Sequence, residues 1–147
     1  MVLGKTVHIL LVEDDDIDAE AVMRAFRRNK VANPFHIARD GLVALDMLRG
    51  HNGQEKLPRP FLILLDLNMP RMSGIEFLGE LRSDPDLRNS LVFVLTTSKR
   101  DEDIVSAYDK NIAGYLVKSE VFDDFMELIN LLESYWRVIE FPPERHG

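Results

Sequence analysis

The chain has 147 residues, no cysteine, 25 acidic and 18 basic side chains, and 46 % hydrophobic residues. This composition is typical of one globular domain that needs neither disulfides nor a structural metal. The net charge of −7, without a run of Lys or Arg, excludes the usual electrostatic basis of nucleic-acid binding and of attachment to anionic membranes. The early apolar run 7–12 is too short for a membrane span and ends in acid, so we expect a cytoplasmic protein.

The negative charge is concentrated in one part of the chain. Six carboxylates lie within residues 13–20, and Asp66 ends an otherwise apolar run. These seven groups equal the net charge, so the rest of the chain is balanced. A helix start attracts acids through its dipole, which is an alternative explanation of Asp14 to Asp16. We interpret the four acids of the cluster that follow Asp14 as such a helix start.

Apolar runs alternate with helical patterns along the whole chain. The runs predict strands at 7–12, 35–38, 61–65, 91–95 and 114–117. The helical patterns follow each strand: apolar residues recur from 19 to 26, a helix runs between Asp40 as N-cap and Gly50, another begins with a capping box of Ser73 and Glu76, and two more lie at about 101–109 and 122–139.

This alternation predicts an α/β domain with a parallel sheet between two layers of helices. We expect a single domain over residues 1–140, a short tail at 141–147, and no output domain. The polar loop 51–60 is too short to separate two domains.

Polar side chains follow four of the predicted strands. Glu13 and Asp14 follow the first, Asp66 the third, Thr96 the fourth and Lys118 the fifth. Because the carboxyl ends of parallel strands share one edge of a sheet, these groups should converge there. Neighbouring carboxylates repel unless a cation lies between them, and hard oxygen ligands suit Mg²⁺ or Mn²⁺.

Such a site suits phosphoryl transfer to a carboxylate. Asp66 would be the nucleophile, Glu13 and Asp14 would hold the metal, and the backbone carbonyl of Asn68 would complete its shell. Thr96 and Lys118 would bind phosphoryl oxygens. Each residue also has an ordinary explanation when taken alone, such as a turn cap for Asp66. The conjunction at successive strand ends favours the site.

Four segments resemble, in order and spacing, the receiver domain of two-component response regulators. They are LLVEDD at 10–15, LDLNMPRMSG at 65–74, LTTS at 95–98 and GYLVK at 114–118. The resemblance covers about residues 7–137 and implies a flavodoxin-like (βα)5 fold with strand order 2-1-3-4-5. It further implies Mg²⁺-dependent phosphorylation of Asp66 by a sensor histidine kinase. The resemblance also implies that the protein is a phosphoacceptor and not an enzyme, with at most self-catalysed phosphorylation and dephosphorylation.

The resemblance also assigns roles beyond the strand-end groups. Thr96 and Tyr115 match the switch pair of the family, and Asn68 and Ser98 match positions that tune dephosphorylation. The family usually has a proline joined by a cis bond after the lysine, where this chain has Ser119. A cis bond before a residue other than proline is costly, so the isomer of the Lys118-Ser119 bond stays open. Ser119 also favours an alternative function, a phosphorylation-independent interaction module.

Two features concern partners. The segment DPDLR at 84–88, LTTS at 95–98 and Tyr108 resemble regulators paired with bacterial and cyanobacterial phytochromes, which implies a phytochrome as the kinase. Twelve of the twenty residues in 122–141 are apolar or aromatic, more than one buried stripe requires. We therefore expect a homodimer through the last helix, the fifth strand and the tail, with a surface made of Phe122, Tyr135, Trp136 and Phe141. The alternative is that Trp136 and Phe141 fold back on their own domain.

Overall fold

Five parallel strands form one sheet in the order β2-β1-β3-β4-β5. The computed structural model describes residues 6–28, 32–118, 134, 141 and 142. Its elements are β1 His8–Val12, α1 Asp16–Arg28, β2 Phe35–Ala38, α2 Gly41–Arg49, β3 Phe61–Leu65, α3 Gly74–Ser83, β4 Leu91–Thr96, α4 Asp101–Asp109 and β5 Gly114–Val117. The flavodoxin-like fold predicted from the sequence is confirmed, with β1 and β4 each shifted by one residue at one end. The predicted helix 122–139 lies outside the described residues.

The boundaries of α2 and α3 follow from local signals. The Asp40 side chain accepts a hydrogen bond of 2.9 Å from the backbone N–H of Val43, and Gly50 ends α2 in the left-handed region at φ 72°. Ser73 and Glu76 form the complete capping box at the start of α3. None of the helices in the described part of the chain is long and apolar enough to cross a membrane.

The core has two halves, one on each face of the sheet. Leu10 and Val12 of β1 pack toward α2 and α3, whereas Ile9 and Leu11 pack toward α1. All five residues of β3 are buried, because this central strand is covered by helices on both sides. This double burial explains why the strands are continuous apolar runs.

Phe141 corrects one expectation about the dimer surface. Its side chain is only 7 % exposed within a single chain and belongs to the half of the core that includes Val22 and Phe26 of α1. Burying an aromatic ring in its own domain removes it from a surface that a second copy could contact. Phe141 therefore folds back on its own domain, as the alternative interpretation predicted. Phe122, Tyr135 and Trp136 lie outside the described residues.

Candidate functional site

Three carboxylates meet at the carboxyl ends of β1 and β3. These strands are neighbours in parallel register, with Val12 opposite Leu65, so the next residues Glu13 and Asp66 emerge side by side. One carboxylate oxygen from each of Glu13, Asp14 and Asp66 lies within 4.8 Å of the others. Glu13 and Asp66 are buried and Asp14 is exposed. Such a set of hard oxygen donors with one open side fits Mg²⁺ or Mn²⁺.

Lys118 brings a positive charge into this acidic site. Its side chain is 3 % exposed, and its Nζ donates to Oε1 of Glu13 and, over 2.7 Å, to Oδ2 of Asp18. Oδ2 of Asp66 lies 3.7 Å from Nζ, close enough for a strong charge interaction but not for a hydrogen bond. The ammonium therefore compensates three carboxylates at once.

The first oxygen of Asp66 is held by two donors. The fully buried Thr96 donates from Oγ1 to Oδ1 of Asp66 over 2.8 Å, and the backbone N–H of Asn68 donates to the same oxygen over 3.3 Å. These bonds fix the orientation of the carboxylate, so that Oδ2 is turned toward Lys118. The Asn68 carbonyl stays a predicted metal ligand.

Burial dominates the electrostatics of the site. It raises the pKa of Glu13 to about 7, an effect that the hydrogen bond from Lys118 opposes and the charge of Asp66 reinforces. Burial alone would lower the pKa of Lys118, but the bonds to Asp18 and Glu13 and the charge of Asp66 outweigh it and raise the pKa above its usual value. Lys118 thus stays charged throughout the physiological range, whereas Glu13 titrates within it.

The predicted switch residue Tyr115 is linked to the loop after β4. Its hydroxyl donates to the backbone carbonyl of Ser98 over 3.0 Å, and the Ser98 hydroxyl donates to Oδ2 of Asp103 over 2.6 Å. Tyr115 and Thr96 lie on the neighbouring strands β5 and β4. The loop that begins after Thr96 is thereby tied to both β5 and α4.

The sequence-predicted strand-end residues thus converge as expected, and their roles stay predictions. The Lys118-Ser119 bond lies outside the described residues. Sequence reasoning missed Asp18, which was assigned to the acidic helix start. Its sequence position did not distinguish it, because Asp18 lies among the acids of the first turn of α1, where the helix dipole is the ordinary explanation.

The chain belongs to the response regulator receiver domain family, which it matches over residues 9–130. It is 39 % identical over 128 residues to the response regulator Rcp1 of Synechocystis sp., covering 87 % of each chain. The crystal structure of the Mn(2+)-bound form of Rcp1 aligns with a TM-score of 0.80 at 37 % identity, covering 92 % of this chain and 99 % of that one. The phosphorylated cyanobacterial phytochrome response regulator RcpA aligns with a TM-score of 0.82 at 34 % identity, covering 92 % and 98 %.

Proposed function

We propose that this receiver domain accepts a phosphoryl group on Asp66 from a sensor histidine kinase, in a reaction that depends on Mg²⁺ or Mn²⁺. The observation that carries the proposal is the placement of Asp66 between the Thr96 hydroxyl at 2.8 Å and the Lys118 ammonium at 3.7 Å, beside the acidic triad. The hydrogen bonds to Oδ1 orient the carboxylate of Asp66, and Oδ2, which accepts no hydrogen bond from Lys118, is then prepared to attack an electrophile.

In the proposed step a carboxylate oxygen of Asp66 attacks phosphorus and forms a new P–O bond. The bond between phosphorus and the donor, a histidine nitrogen or the acyl oxygen of acetyl phosphate, breaks, and the donor leaves with the electron pair. A divalent cation, which Glu13, Asp14, Asp66 and the Asn68 carbonyl would hold, neutralises phosphoryl charge when bound. Thr96 and Lys118 supply hydrogen-bond donors for the phosphoryl oxygens.

The test is incubation of the purified protein with acetyl phosphate and Mg²⁺, followed by intact mass spectrometry. We expect one added phosphate that is lost on treatment with hydroxylamine, as an acyl phosphate should be. Asp66→Asn abolishes the labelling, and Asp16→Asn, the same change at an exposed position, leaves it intact. Labelling that persists in Asp66→Asn contradicts the proposal.

We propose a phytochrome-type histidine kinase as the phosphoryl donor. Support comes from the relatives, since the solved structure of RcpA is described as that of a cyanobacterial phytochrome response regulator. Phosphotransfer from each histidine kinase of the source cell, compared at short times, identifies the donor by the fastest transfer. Preferential transfer from a kinase without a phytochrome photosensor would overturn this assignment.

The output would be a changed surface, set by Thr96 and Tyr115 and read through a homodimer. The link from the Tyr115 hydroxyl to the Ser98 carbonyl supports a coupling of β5 to the loop after β4. Ser119 favours the second candidate, an interaction module that signals without phosphorylation. Sedimentation at micromolar concentration, before and after acetyl phosphate treatment, separates the two: a dimer that forms or rearranges only after Asp66 is modified supports the first, and a constant dimer without labelling supports the second.

A further inference from the structure

We propose that Asp18 is a positioning residue that anchors Lys118 for phosphoryl transfer, an inference that rests on the proposed function. Asp18 lies in the first turns of α1, 100 residues before the lysine in the chain, and its Oδ2 accepts a hydrogen bond of 2.7 Å from Nζ. The Lys118 side chain is 3 % exposed and the Asp18 side chain 30 % exposed. The pair therefore joins the buried end of β5 to the accessible end of α1.

Asp18 is free for this role because another residue caps the helix. The side chain of Asp15 accepts hydrogen bonds from the backbone N–H groups of Ile17 at 2.9 Å and Asp18 at 3.0 Å. Those bonds satisfy donors at the start of α1, which an acidic side chain in the first turn would otherwise contact. The carboxylate of Asp18 instead points across to the strand ends.

Glu13, the other hydrogen-bonded partner of Lys118, has a divided role. It contributes an oxygen to the acidic triad with Asp14 and Asp66, in addition to its contact with Lys118. Asp18 is not part of that triad. Among the described acids that hydrogen-bond to Lys118, it is therefore the one that does not also belong to the candidate metal site. When Glu13 turns toward a cation, Asp18 is the partner that keeps Lys118 in place.

The remaining geometry shows what the anchor achieves. An ammonium has three N–H donors, and two of them are directed to Glu13 and Asp18. Within the described residues, Asp66 is the third carboxylate within 4.0 Å of Nζ, at 3.7 Å. That gap is too long for a direct hydrogen bond, and a phosphoryl oxygen on Asp66 would fill it. Holding Nζ by two carboxylates aims the third donor at the reacting group before the phosphoryl arrives.

The experiment measures the initial rate of Asp66 phosphorylation by acetyl phosphate in the full chain, at saturating Mg²⁺. We expect Asp18→Ala to lower this rate about tenfold, since a charge-assisted hydrogen bond that orients the donor is lost. Asp18→Asn, whose amide oxygen still accepts a hydrogen bond, recovers most of the rate. Asp16→Ala, the same truncation at an exposed position of the same helix, keeps the wild-type rate.

A second measurement tests the anchor without phosphorylation. The ammonium resonance of Lys118 in a proton–nitrogen spectrum, assigned by its absence in Lys118→Arg, reports how tightly the group is hydrogen-bonded. We expect Asp18→Ala to shift this resonance and to speed its exchange with water, while the Mg²⁺ affinity of the variant stays at the wild-type value. In the control Asp16→Ala, the Lys118 resonance should not move. A wild-type rate in Asp18→Ala, an unmoved Lys118 signal, or a parallel loss of Mg²⁺ affinity each overturns the anchor. If the wild type itself is never labelled on Asp66, the proposed function fails, and the Lys118 signal alone decides whether Asp18 holds the ammonium.

Discussion

The hydroxyl of Thr96 donates a 2.8 Å hydrogen bond to Oδ1 of Asp66, which joins the ends of two neighbouring strands. Thr96 is fully buried and Asp66 is 6 % exposed, so the bond forms away from bulk water, where it is strongest. It leaves the other oxygen of Asp66 turned toward Lys118.

Thr96→Val should therefore slow phosphorylation while the fold is kept. Valine has nearly the shape of threonine but donates no hydrogen bond, so the orientation of Asp66 relaxes and the labelling rate falls about tenfold. Thr96→Ser, which keeps the hydroxyl, should retain most of the rate. The check is acetyl phosphate labelling followed by mass spectrometry, and equal rates in the two variants would argue against a role for the hydroxyl.

Gly74→Ala should disturb the loop that follows β3. A Cβ at Gly74 would lie 2.6 Å from the backbone oxygen of Asp66 and 2.6 Å from Cα of Leu67, and neither backbone atom can yield cheaply. We expect a loss of about 1–3 kcal/mol in the free energy of unfolding, measured by urea denaturation, together with slower phosphorylation. Gly79→Ala is the control, because a Cβ at Gly79 in the same helix meets nothing within 4 Å. It should leave stability unchanged or raise it slightly.

Asp40 provides a test of stability away from the phosphoacceptor. It caps α2 and pairs with Arg71, whose Nε lies 3.0 Å from its Oδ2. Asp40→Ala should cost about 1–2 kcal/mol at neutral pH, and Asp40→Asn less, because asparagine also caps helices. An equal loss in both variants, measured by urea denaturation, would mean that the ion pair with Arg71 outweighs the cap.

The charge of Asp40 also has a predicted pH dependence. Burial raises the pKa of Asp40, but the Val43 N–H and Arg71 outweigh it, so the pKa falls below the ordinary 3.8. A lowered pKa stabilises the fold above the ordinary value, and this contribution is lost as the pH falls through the lowered one. The stability difference between wild type and Asp40→Asn should therefore shrink in acid below pH 3.8.

Metal binding should strengthen as the pH rises through about 7, the raised pKa of Glu13. Below this pH burial keeps Glu13 largely protonated in the metal-free site, and the proton must leave before its carboxylate can face a cation. Without metal, the raised pKa stabilises the fold fully below the ordinary 4.5, and this contribution is lost as the pH rises through about 7. Thermal unfolding across this range, with and without Mg²⁺, should show a growing metal effect with pH, and Glu13→Gln should flatten it.

Much of this protein follows from short stretches of sequence. The cap at Asp40, the capping box of Ser73 and Glu76, and the apolar strands depend on residues within one or two turns of each other. The strand-end residues could be foreseen because parallel strands align their carboxyl ends, whatever the detailed packing. These features depend on neighbouring residues and not on how the rest of the chain packs.

Contacts between distant segments had to be seen in three dimensions. The bond from Lys118 to Asp18 and the burial of Phe141 in the half of the core on the α1 side of the sheet depend on the angles at which helices pack on the sheet. A side chain at a given spacing can reach several partners, and only the packed core selects one of them. Local patterns predicted the five strands, the caps of α2 and α3, and the polar residues at the strand ends. The tertiary structure decided which carboxylate holds the lysine, because that choice depends on distances of a few ångströms between elements 100 residues apart in the chain.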